Sequence, residues 1–361
     1  MSPEQVRVEA FCRRFGLKMP VLLAPMAGAC PPSLSIAAMN AGSLGACGAL
    51  LMRPDEIIAW ADEVCAEGSG PFQLNLWMPD PPPRRDHAHE AQVRAFLERF
   101  GPQVAASAGD ATPPDFAAQC EALLAVKPPI VSSVMGLYPV EFVAKLKRAG
   151  IAWFANVSTV AEARAAETSG ADVVVVQGME AGGHRGCFDA AEAERQLVGL
   201  FALVPAVVDA IKIPVVATGG IGDARGVAAA LLLGASAAQI GTALLRTPEA
   251  KLNPAWADAL SRAAPEDTMV SRVFSGRAGR SIATDYVRAA TAADAPPPAP
   301  YPIQRGLTAA MRNEASKAGD ASRMQVWAGQ SARLARAEPA GQVLRDIWEG
   351  ARNLLGWGAS G

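Results

Sequence analysis

The chain has 361 residues, half of them apolar and 19% charged, with a formal net charge of −2. That balance supplies a large core and excludes a disordered chain, and it offers no field for a polyanion, so no nucleic-acid partner is expected. Six scattered cysteines (Cys12, Cys30, Cys47, Cys65, Cys120 and Cys187) form no Cys-x-x-Cys pair, which argues against a structural zinc site or a disulfide scaffold and suits a reducing cytosol.

Met1–Leu17 mixes Glu4, Arg7, Glu9, Arg13 and Arg14 with apolar residues, and lacks the unbroken apolar centre of a signal peptide. A cytoplasmic protein is therefore expected. Val21–Ala24 is a short apolar run stopped by Pro25. Ser33–Ala41 reads as a helix with Ser33 as its N-cap. Leu44–Ala49 is a second run, Asp55–Ala66 has helical spacing, and Phe72–Leu76 is a third strand candidate ending near Asn75.

The pattern then breaks. Pro79–Pro83 is a proline cluster, and helices are expected over Asp86–Phe100 and Pro114–Ala125. Residues 79–116 thus form a helical insertion after the third strand, where lids over barrel sites sit. Alternation resumes with strand Ile130–Val134, helix Val140–Ala149, strand Ile151–Val157, helix Val160–Ser169 and strand Asp172–Gln177. Helix Arg195–Ile211, strand Pro214–Thr218, helix Ala224–Leu233 and strand Ala237–Ile240 follow. Val227–Leu245 carries no charge, yet Gly234, Ser236, Gln239 and Gly241 break it. A helix, a turn and a buried strand explain it better than a membrane span.

Eight apolar runs separated by helices are the signature of parallel β/α units, and eight such units close into a barrel. A doubly wound sheet is the alternative, but no glycine fingerprint follows the first strand. The expected organisation is an α/β barrel over 1–245 and a mainly helical extension over 246–361, packed on the barrel. In that extension Thr268–Phe274 is a possible strand and Thr291–Pro302 a stiff, proline-rich surface connection. Gly306–Ala318, Ser322–Arg336 and Ala340–Leu355 read as helices.

The chemistry concentrates at strand ends. Val173–Val176 is β-branched and suits a strand buried on both faces. It runs into Gln177 and a loop in which Gly182, Gly183 and Gly186 surround His184. Imidazole is the side chain best suited to proton transfer near neutrality, while a structural histidine bonded to backbone is the plainer alternative. His87 and His89 lie in the charged insertion and read as surface residues. Gly219 and Gly220 follow the seventh strand, and Gln239, Ile240, Gly241 and Thr242 end the eighth. Loops at these two places often cradle a phosphate, and a helix starting near Thr242 would turn its positive end toward it. Glycines that merely make tight turns are the other reading. Asn75 and Gln177 present amides suited to a heterocycle with carbonyls and ring nitrogens, or to loop backbone. Pro25 and Met26 could lay backbone against a flat ring. No metal cluster, nucleophile elbow, Walker loop or glycosidase-type carboxylate pair stands out.

These residues resemble the nitronate monooxygenases, formerly called 2-nitropropane dioxygenases. The resemblance rests on Ala24-Pro25-Met26, Asn75, Gln177-Gly178, Gly182-Gly183-His184-Arg185-Gly186, Ala217-Thr218-Gly219-Gly220-Ile221, Gln239-Ile240-Gly241-Thr242 and Trp327-Ala328-Gly329-Gln330. It implies a TIM barrel holding FMN. Asn75, Gln177, Gly182, Gly220 and Gln239 to Thr242 would surround the cofactor, with Pro25, Met26, Gly183 and Gly219 beside them and His184 at the catalytic centre. It further implies oxidation of an alkyl nitronate or nitroalkane by O2 to a carbonyl compound and nitrite, the substrate giving one electron to the flavin and the flavin passing it to oxygen.

Two departures stand out. Some members carry a second histidine where this chain has Val134, and members tend to have an asparagine where Thr284 aligns. Flavin-dependent enoyl-acyl-carrier-protein reductases share the Gly-Gly-His loop and both glycine sets. The tail with Trp327–Gln330 favours the monooxygenase. A flavin- or phosphate-binding sensor without chemistry is the non-enzymatic alternative, supported by Val134 and opposed by His184.

Overall fold

The computed structural model describes residues 1–357. Eleven strands form among them: β1 (Val21–Leu23), β2 (Gly45–Gly48), β3 (Phe72–Trp77), β4 (Ile130–Val134), β5 (Ala152–Val157), β6 (Val173–Gln177), β7 (Gly183–His184), β8 (Val215–Thr218), β9 (Ala237–Ile240), β10 (Thr268–Ser271) and β11 (Gly279–Ile282). Eight of them coincide with the eight apolar runs. They pair in parallel in the order β1-β9-β8-β6-β5-β4-β3-β2. Between the outer members the ring is completed by single contacts, such as Leu23 N–H to Leu44 O at 3.2 Å. The result is a nearly closed TIM barrel, as the alternation of runs and helices predicts.

Strand alternation sorts the residues. Val174 and Val176 of β6, with Val131, Trp153 and Ala217, join the core between barrel and helices. Val173 and Val175, with Leu22, Ile130, Phe154, Val216 and Ala237, fill the barrel interior. Helix Pro3–Phe15 closes the amino end of that interior. Its Phe15 packs edge-on against Phe154 with ring centroids 5.0 Å apart. With apolar side chains filling the lower barrel, the inward positions left for chemistry are those at the carboxyl ends.

The extension does more than cover the barrel. Helix Ala340–Leu354 packs between Ala224–Leu232 and Pro32–Asn40, and so completes the helical ring after β9. Strands β10 and β11 form an antiparallel sheet with β7, pairing Gly279 with His184. A second apolar core joins Val93, Leu97 and Val104 of the insertion to Phe274, Tyr286, Ile303 and Met311 of the extension. The insertion is thereby fastened to the segment that straps the His184 loop.

Several expectations change in detail. Ser33 is not a cap: helix Pro32–Asn40 is capped at Pro31, and Ser33 Oγ donates to Glu249 O at 2.8 Å. The helix expected over 195–211 is Leu200–Val208, because residues 189–195 form turns. Thr242 opens only a three-residue 3-10 turn, Thr242–Leu244, too short to carry a macrodipole. Gly306–Ala318 is two helices, Ile303–Leu307 and Ala309–Ala318, meeting at Thr308. Ser322–Arg336 is not a helix. Only Ala332–Leu334 winds into a 3-10 turn, and N–H groups before it are taken by other loops, Gly329 by Thr242 Oγ1 at 3.0 Å and Gln330 by Glu180 O at 2.9 Å. The connection 291–302 is not all surface: Ala299 is fully buried and Tyr301 nearly so. No described helix is long and apolar enough to cross a membrane, and 227–245 divides into helix, strand and 3-10 turn.

Candidate active site

Where the barrel strands end, the inward side chains turn polar: Asn75 on β3, Asn156 on β5, Gln177 on β6, Thr218 on β8 and Gln239 on β9 line one cavity. Several are oriented by neighbours before anything binds. Asn75 Nδ2 donates to Ser132 Oγ at 3.0 Å. Gln73, one step deeper in the barrel, donates to Gln239 Oε1 at 3.1 Å. That bond leaves the Gln239 amino group for the cavity.

Gln177 shapes the next loop. Its Nε2 donates to His184 O at 3.1 Å and its Oε1 accepts from Gly186 N at 2.7 Å. With β11 holding the other edge, the His184 backbone is clamped on both sides. The imidazole lies between two indoles, with centroids 4.8 Å from Trp77 and 4.8 Å from Trp327. Its Nε2 is 2.8 Å from Ser275 Oγ. Ser275 Oγ in turn donates to Arg277 O at 3.2 Å and accepts from Arg277 N at 3.3 Å. With its proton so placed, the hydroxyl accepts from Nε2–H, and the Nδ1 lone pair is left for a ligand. Burial, then the cations Arg277 and Arg305, push the imidazole down to about 3. His184 is therefore neutral across the physiological range.

The opposite wall is built of backbone. Gly219 and Gly220 turn at φ +115° and +65°, which side chains rarely adopt. A Cβ on Gly220 would meet Glu180 Cβ at 2.9 Å, and one on Gly241 would meet Met26 Sδ at 3.1 Å. These positions keep N–H groups free of side chains, the usual construction of an anion cradle. Thr242 contributes a hydroxyl, and Gly182 packs so tightly on the 328–329 backbone that no side chain fits there.

The structure brings Pro25, Met26, Asn75, Gln177, Gly182, Gly183, His184, Gly219, Gly220, Gln239, Gly241 and Thr242 to this one cavity. Ile240 is the exception: its side chain is in the outer core, and only its carbonyl, accepting from Ala24 N at 2.9 Å, serves the rim. Gln177 spends most of its amide on the loop, which is the plainer of its two readings. His87 is exposed, as expected, and His89 is half-buried, away from the cavity. Val134 lines the cavity. Thr284 lies outside it and caps helix Asp285–Ala290, a role asparagine fills equally well. Trp77, Asn156, Ser275 and Arg305 also line the cavity and were not singled out from sequence. Trp77 could have been, since it is two residues beyond Asn75 on the same strand face. Ser275 and Arg305 reach the cavity from the extension, with no local signal.

The chain is similar to known proteins over nearly its whole length. The family model described as "Nitronate monooxygenase" matches residues 9–350. A nitronate monooxygenase of Paraburkholderia phytofirmans is 36% identical over 350 residues, covering 95% of each chain. Among solved structures, a nitroalkane oxidase from Streptomyces ansochromogenes superposes with a TM-score of 0.86 at 35% identity, covering 96% of this chain and 99% of that one. FabK from Thermotoga maritima superposes at 0.75 with 26% identity, covering 96% and 97%. Barrel, cavity and full-length similarity agree, and the chain belongs to the nitronate monooxygenase family of oxidoreductases.

Proposed function

We propose that this chain oxidises alkyl nitronates, or the nitroalkanes that are their conjugate acids, with O2 on bound FMN, giving a carbonyl compound and nitrite. The observation that carries the reading is one cavity joining the glycine cradle after β8 and β9 to the imidazole of His184. The names of the relatives point the same way. The residues fit FMN by shape and by chemistry: a side-chain-free cradle for its phosphate at Gly220, Gly241 and Thr242, and amides of Asn75 and Gln239 for its ring. Gly182, Gly183 and Gly219 permit close approach, and Pro25 and Met26 form an adjoining wall. Bound FMN supplies the one-electron chemistry between substrate and oxygen. A cytoplasmic setting fits the six free cysteines.

The protein's own part is positioning. Trp77 and Trp327 pack against the imidazole from two sides and fix its position at the cavity wall. Ser275 fixes the His184 tautomer, so that Nδ1 can accept a proton from a neutral nitroalkane or a hydrogen bond from a protonated group. The test is the visible spectrum of purified protein, then oxygen uptake with the nitronate of nitroethane. A colourless protein that refuses FMN refutes the reading. Rapid anaerobic bleaching by NADPH, without nitronate turnover, would favour an enoyl reductase instead.

A further inference from the structure

Resting on that reading, we infer that Arg305 makes the substrate end of the cavity a receptor for an anion, so that this chain takes the preformed nitronate rather than deprotonating the neutral nitroalkane.

Arg305 sits on helix Ile303–Leu307, whose Ile303, Gln304 and Leu307 are buried. Its side chain reaches the same cavity as His184, Ser275 and Trp77. Arg323 is matched with Glu314 and Asp320, whereas Arg305, like Arg312, joins none of the ion pairs among the described residues. Its surroundings do not supply one. Arg312, behind it, is held only by neutral acceptors: Thr308 Oγ1 at 3.1 Å, Gln325 Oε1 at 3.2 Å and the Arg305 carbonyl at 2.9 Å. Arg277, 2% exposed, lies over the Trp77 ring and has Asp80 at 3.4 Å as its only carboxylate. Arg305 in the cavity wall, Arg277 beside it and Arg312 behind it thus have one nearby carboxylate, Asp80, among them. The imbalance focuses a positive potential into a low-dielectric cleft.

The position excludes the simplest alternative, a clamp on the cofactor's phosphate. The glycine cradle follows β8 and β9, whereas Trp77 ends β3, on the far side of the barrel. The free cation is therefore at the His184 end. A nitronate spreads one negative charge over two coplanar oxygens, the shape a guanidinium fork matches bidentately. A neutral nitroalkane offers no such charge. Proton abstraction by His184 would add a further positive charge beside Arg277 and Arg305, which the same field opposes.

The experiment compares wild type with Arg305→Gln and Arg305→Lys, each loaded with FMN. Oxygen uptake gives kcat/KM for preformed ethylnitronate and for neutral nitroethane. Arg305→Gln is expected to lower the nitronate-to-nitroethane ratio of kcat/KM by about 10- to 100-fold, mostly through the nitronate KM, with Arg305→Lys keeping most of it. A second readout needs no turnover: sodium nitrate, a planar oxyanion, is titrated while indole fluorescence is followed. Saturable quenching in wild type and its loss in Arg305→Gln support the inference. An unchanged ratio, or unchanged nitrate binding in Arg305→Gln, overturns it. A protein that binds nitrate through Arg305 yet oxidises neither compound would refute the proposed function and leave the anion receptor standing.

Discussion

Ser275→Ala isolates the one hydrogen bond that the imidazole of His184 makes among the described residues, 2.8 Å from Nε2 to Oγ. The hydroxyl is 1% exposed, so no solvent stands ready to replace it. In the variant the ring keeps its place, because Trp77 and Trp327 pack on it with centroids 4.8 Å away. What it loses is the bias toward the Nε2–H tautomer. A buried donor left without an acceptor costs about 1–3 kcal/mol. If that penalty appears only when His184 must present its Nδ1 lone pair, kcat falls by about 5- to 150-fold. Substrate KM and FMN content should hardly move. The assay is oxygen uptake with neutral nitroethane, the substrate whose α-proton Nδ1 would accept, corrected for bound flavin by absorbance, beside a thermal melt to exclude unfolding. A folded, flavin-loaded Ser275→Ala enzyme with wild-type kcat would refute the tautomer argument. Ser275→Thr, which retains the hydroxyl, should recover most of the loss.

Gly220→Val places a β-branched side chain at φ +65° with its Cβ 2.9 Å from Glu180, so the flavin-to-protein absorbance ratio should drop severalfold; full retention of FMN would remove the cradle from this loop. His184→Ala should keep FMN and lose turnover, by about 10²–10⁴ if the substrate is the neutral acid; full activity would deny the imidazole its role. The His184 pKa is lowered to about 3, so between its unfolded value and that pH the unfolded chain binds a proton that the folded chain does not. Stability from this group is present above the unfolded pKa and lost as pH falls. Calorimetry from about pH 7 to about pH 5 should show Tm falling less in His184→Gln than in wild type, and parallel curves would contradict the burial argument. Gln73→Leu should leave a stable fold, since it removes an Oε1 that has no partner, while freeing Gln239 and weakening FMN binding; an unchanged FMN affinity would show that Gln239 needs no support.

The barrel was legible because its signals are local. The β-branched run of β6 and the other short apolar runs each announce a strand from within a few residues, and parallel strands buried on both faces need no long-range partner to be recognised. The errors fall where tertiary contacts compete with local preference. Ser322–Arg336 has helical composition, but Gly329 and Gln330 give their N–H groups to Thr242 and Glu180 instead. Ser33 has the chemistry of a cap and spends its hydroxyl on Glu249. The helix expected at Thr242 stops after one turn, so any anion held there depends on freed backbone N–H groups rather than on a helix dipole.

The cavity divides along the same line. Its floor and cradle come from strand ends and the glycines that follow them, and these are visible as polar residues interrupting apolar runs. Its substrate end is built by the extension: Ser275 follows β10, Arg305 lies just beyond a proline-rich connection, and Trp327 joins through a bridge to Ser281. None of these has a neighbour in sequence that explains it. They meet His184 only because β11 pairs with β7 and the extension folds back over the loop. On the proposed reading, the half of the site that would hold the cofactor is encoded by the repeating β/α unit, whereas the half that would meet the substrate is encoded in large part by a segment outside it. Relatives that keep the glycine loops while altering the segment after β9 can therefore share the cofactor cradle and differ in what they oxidise.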